Sequence, residues 1–114
     1  MTYDVTGHGY YTLDKKGNPV DCNDLMEWGK FMQQGAGDPK NCPRVLRVNN
    51  LIIKGETITV STVFLGVDHS FTNEAPILWE TMVFGGGKDQ ECVRYATKEE
   101  ALKGHKKMIN YVKE

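Results

Sequence analysis

Asp68, His69 and Ser70 stand consecutively after a long β-prone run. A histidine beside a carboxylate can act as a general base or a metal ligand near neutral pH. The same residue types also make a polar turn, with Asp68 or Ser70 hydrogen-bonding local backbone. His105 is the second group of interest. It falls at the centre of an apolar helical stripe, where an unpaired imidazole is costly, so it requires a partner. Glu80 could meet it if the face carrying Leu78, Glu80, Met82 and Phe84 points inward. The opposite face, with Ile77, Trp79, Thr81 and Val83, is also apolar enough to be the core face, and the sequence leaves that choice open. Arg94 lies mid-strand. It can clamp a phosphate or carboxylate with its planar fork, or lie flat on a solvent face. Asp68, His69, Glu80 and His105 are the side chains a metal-assisted hydrolase would use if they converged.

The remaining motifs point away from chemistry. Gly85-Gly86-Gly87 is followed by Lys88-Asp89 and then a strand, so it lacks the strand-to-helix context of a phosphate loop and reads as a hairpin turn. No nucleophile elbow is present. Cys92 sits within a strand and reads as a small core residue. The three cysteines (Cys22, Cys42 and Cys92) are widely spaced, with no zinc-ligand pattern, and neither a metal nor a cofactor is expected.

The elements that must position these groups follow from periodicity and turn residues. Residues 9–13 form a short strand or hairpin arm, ended by the turn at 14–19. Asp21 to Asn23 offer N-caps for a helix whose face carries Leu25, Trp28 and Met32, and Gly35 to Pro39 break it near Gln34. Residues 44–53 and 57–66 are the strongest strands, joined by Lys54-Gly55-Glu56. In the second of them Ile58, Val60, Thr62 and Phe64 share the core face at its start. Residues 77–84 and 91–95 form a second hairpin. Thr97-Lys98-Glu99-Glu100 is a capping box opening a helix to about Val112. That helix carries Ala101, Leu102, His105, Met108, Ile109 and Val112 on one stripe. The expected fold class is α+β. One domain over residues 1–114 holds an antiparallel sheet of four to five strands and two helices, with the C-terminal helix packed on the sheet.

Composition narrows the partners. With 14 Lys and Arg against 15 Asp and Glu, the net charge is −1, which disfavours general nucleic-acid binding. Lys103, Lys106 and Lys107 form a local cluster that reads as a solvated helix face. No apolar run approaches a membrane span, and the N-terminal residues have no secretory pattern. Together with the odd cysteine count this fits a reducing cytosol.

Three stretches carry a resemblance: Ser61 to Phe71, Trp79 to Gly86, and Arg94 to His105. Their "STVFLG-DH", "ETMVFGG" and "RY-T-EEA--GH" patterns resemble a family of short proteins encoded by tailed bacteriophages. The resemblance brings no activity. It implies a phage product acting in the host bacterial cytosol, and it marks Asp68, His69, Glu80, Arg94 and His105 as candidate binding residues. The leading expectation is a non-catalytic binding or inhibitor module. It would act on a host protein or a small nucleotide-type ligand, and a homodimer could build a shared pocket. The alternatives are the metal-assisted hydrolase and a virion or packaging accessory.

Overall fold

The computed structural model describes residues 9–70 and 75–114. The fold is α+β. A small hairpin of β1 (Tyr11–Leu13) and β2 (Pro19–Asp21) precedes α1 (Leu25–Gln33). Then come β3 (Val45–Ile53), β4 (Glu56–Phe64), β5 (Trp79–Phe84) and β6 (Cys92–Tyr95), and finally α2 (Lys98–Lys113). The last four strands form one antiparallel sheet in sequential order, so β3 and β6 are its edges. The N-terminal hairpin is a separate two-stranded sheet, rather than a fifth strand of the main one. An isolated bridge between Tyr10 and Val67 ties it to the segment just after β4. The N-cap of α1 is Asp24, one residue later than the sequence signal, because its carboxylate accepts from the Met26 and Glu27 N–H groups.

The inward face of the sheet is set by register. Val60 pairs with Val83, Thr62 with Thr81, and Phe64 with Trp79. Paired residues share a face, so Trp79, Thr81 and Val83 point toward α2. Glu80, Met82 and Phe84 point to the opposite side, which answers the question the sequence left open.

The core then divides along its length. Phe64, Trp79 and Ala101 form one apolar cluster with Leu78 and with Phe31 of α1. Ile58, Val60, Val83, Met108 and Val112 form the other. Between them, β4, β5 and α2 each contribute one fully buried polar residue: Thr62, Thr81 and His105. The two clusters therefore flank a polar layer.

Gly66 joins the N-terminal elements to the sheet. Its carbonyl accepts from the Tyr11 N–H at 2.9 Å and from the Trp28 indole at 2.9 Å. Its φ is +76°, and a Cβ there would lie 2.6 Å from Met32 Sδ. Only glycine suits both constraints.

The capping box at α2 is complete. Thr97 Oγ1 accepts from the Glu100 N–H, and Glu100 accepts from the Thr97 N–H. Thr97→Ala should lower stability by about 1 kcal/mol. Chemical denaturation reads this directly, and an unchanged midpoint would mean that the cap contributes nothing.

Candidate functional site

His105 is fully buried, and its partners are Thr62 and Asn49 rather than Glu80. Nδ1 lies 2.7 Å from Thr62 Oγ1, and Nε2 lies 2.7 Å from Asn49 Oδ1. Thr62 Oγ1 in turn lies 2.5 Å from Thr81 Oγ1. An amide oxygen only accepts, so Nε2 carries the proton and donates to Asn49. Nδ1 then accepts from the Thr62 hydroxyl, which accepts from Thr81. Both nitrogens of the neutral ring are used in this arrangement. Burial first, and then the charge of Arg47, push its pKa below the ordinary histidine value. His105 is thus an architectural group that pins α2 to β3 and β4.

Glu80 lies on the opposite face of the sheet. Its carboxylate accepts from Arg94 Nε at 2.9 Å, across a directly paired position of β5 and β6. Arg94 is therefore engaged by its neighbour, on the outer face. Cys92 also falls on that face and is exposed, which corrects its reading as a core residue: the short strand that carries it is an edge strand.

Asp68 closes a turn. Its Oδ1 accepts from the Ser70 and Ile77 N–H groups, both at 2.8 Å, and its Oδ2 accepts from the Ser70 hydroxyl at 3.0 Å. Partial burial works against its charge, but these donors and the adjacent His69 outweigh it and hold the carboxyl below the usual range. The His69 N–H donates to the Ile77 carbonyl at 3.0 Å, so both ends of this loop are tied. Phe71, the last residue of the first of the three motif stretches, lies outside the described residues. The triple glycine makes a hairpin turn, with the Gly85 N–H donating to the Asp89 carboxylate at 2.7 Å.

The five sequence-derived residues therefore do not share one site. Asp68 and His69 are held against Ser70 and Ile77, Glu80 and Arg94 pair on the outer face, and His105 lies under α2. Among the described residues, no three His, Cys, Asp or Glu side chains gather to hold a metal ion. The hydrolase constellation has no common centre here.

A surface groove lies elsewhere. A groove of about 550 Å³ runs between β6 and the flank of α2, within the size range of ligand sites. Val93 and Tyr95 supply its floor, and Gly104 and Met108 its helical wall. A Cβ at Gly104 would run into the Tyr95 phenol, so glycine lets that ring lie against the helix. Lys103 and Lys107 stand exposed on the rim. At one end Tyr111 donates to Glu91 at 2.9 Å and stacks beneath Lys88, whose Nζ is 3.7 Å from the ring centre. The hydrogen bond to Glu91 raises the Tyr111 pKa above the ordinary phenol value.

Sequence reasoning missed Val93, Tyr95 and Gly104. Their signal was faint: a glycine between two lysines four residues apart, following a very short final strand. Neither family models, curated proteins nor solved structures yield a match to this chain. No helix among the described residues is long and apolar enough to cross a membrane.

The titration of His105 has a sign that can be checked. Its folded pKa lies below the unfolded value of 6.5. The unfolded chain therefore binds a proton first, and stability falls as pH drops below about 6.5. The lowered carboxyls of Asp68 and Asp14 act only near and below their unfolded value of 3.8. Denaturation between about pH 5 and 7 should show this slope, and His105→Gln should flatten it. A slope that persists in the variant would assign it to another group.

Proposed function

We propose that this protein is a non-catalytic binding module whose ligand surface is the groove between β6 and α2. One observation carries the reading: an apolar floor with a polar rim lies directly beside an edge strand whose outer backbone groups have no neighbouring strand among the described residues. Exposed sheet edges flanked by a helix suit extended polypeptide, because the backbone supplies affinity and the groove supplies specificity. The other edge, β3, carries a bulge between Val45 and Arg47 that interrupts its ladder and makes it a poorer template. The phage-like motifs favour a host protein as the source of that segment, met in the bacterial cytosol.

Selection of displayed random peptides against the purified protein tests the proposal. The selected peptides should lose binding to Val93→Trp, which fills the groove. They should keep binding to Ile52→Ser, on the exposed outer face. Both variants are checked for native fold by circular dichroism. Peptides that bind Val93→Trp unchanged, or a selection that enriches nothing, would overturn it.

A further inference from the structure

We infer that the segment taken by this groove is an extended acidic one, with carboxylates at alternate positions, added as a strand to β6. The inference rests on the groove being the ligand surface. It starts from the ladder between β5 and β6. The Val83 N–H donates to the Glu91 carbonyl at 3.0 Å. Hydrogen-bonded and non-bonded pairs alternate in an antiparallel ladder. Thr81 with Val93, and Trp79 with Tyr95, are therefore the bonded pairs. The backbone groups of Cys92 and Arg94 point to the open edge. An added strand would pair with those two residues, and alternate side chains on it would face the same side as Val93 and Tyr95, against the flank of α2.

Charge then selects the occupant. The carboxylates at the two ends of the groove are already engaged. Glu100 accepts from the Ala96 and Thr97 N–H groups at 3.2 and 3.1 Å, and Glu91 accepts from Tyr111. Lys103 and Lys107 have no hydrogen bond or ion pair with any described residue. Two ammoniums without an ion-pair partner among the described residues thus overlook an apolar floor. They are four residues apart on a helix, a rise of about 6 Å. Side chains two apart on a strand repeat at roughly 6.6 Å. Acidic side chains at i and i+2 of an added strand therefore match the lysine spacing. The β6 strand of a second copy would bring Val93 and Tyr95 to that side, and the carboxylate next along that face, Glu91, is already held by Tyr111.

A short labelled peptide alternating glutamate with valine tests this by fluorescence anisotropy at low salt. It should bind saturably. The double variant Lys103→Glu, Lys107→Glu should bind it about tenfold more weakly, as expected for losing two exposed ion pairs and creating two repulsions. A peptide with lysine in place of glutamate should recover binding to that variant. N-methylation of alternate peptide amides on the pairing edge should abolish binding. Equal binding of the lysine peptide to the native protein, blocked by Val93→Trp, would overturn the acidic assignment and leave the groove standing. Binding that ignores N-methylation and is displaced by tripolyphosphate would mean a plain anion site, and strand addition would fail. If no peptide binds and the protein self-associates through β6, losing that association in Arg94→Pro, both readings fall.

Discussion

His105 is buried completely, and each of its ring nitrogens is held by a side chain of the sheet. The chain of hydrogen bonds runs from Thr81 through Thr62 and His105 to Asn49, and so joins α2 to β5, β4 and β3. Leaving one such buried group unpaired costs about 1–3 kcal/mol. Rotating α2 by one residue would strand several of them at once. The total would rival the roughly 5–15 kcal/mol that holds a domain folded. The two apolar clusters on either side tolerate exchange of similar side chains. The polar layer between them tolerates no slip. It therefore fixes the rotation of α2 about its own axis. With His105 facing the sheet, Gly104 lies about 100° round the helix and faces β6. The groove exists because of that setting.

The residues with the strongest chemical look in the sequence mostly have partners within the fold. Asp68 serves the backbone of its own loop, Arg94 serves Glu80, and His105 serves the helix–sheet joint. Polar residues that must satisfy buried or turning backbone resemble those that do catalysis, since both need donors and acceptors at fixed places. What distinguishes them is convergence on a shared space, and convergence is a property of the fold.

Much of the architecture was legible because it is local. The capping box at Thr97, the stripe through Ala101, His105, Met108 and Val112, and the turn at Gly85 each depend on a few adjacent residues. The inward face of β5 was not legible. Leu78, Met82 and Phe84 are as apolar as Trp79 and Val83, and the decision came from Thr81 meeting Thr62 across the strand pair. The groove was legible least of all. It needs β6 to be an edge, which depends on strand order, and it needs Gly104 to admit Tyr95, which depends on helix rotation. Neither leaves a periodic trace in the sequence.

The account stands on β6 being an open edge, and amide hydrogen exchange at its four residues measures that most directly. Val93 and Tyr95 donate inward to β5 and should exchange slowly. Cys92 and Arg94 donate toward solvent and should exchange quickly in the free protein. Slow exchange at all four would mean that the edge is already covered, and it would contradict the account.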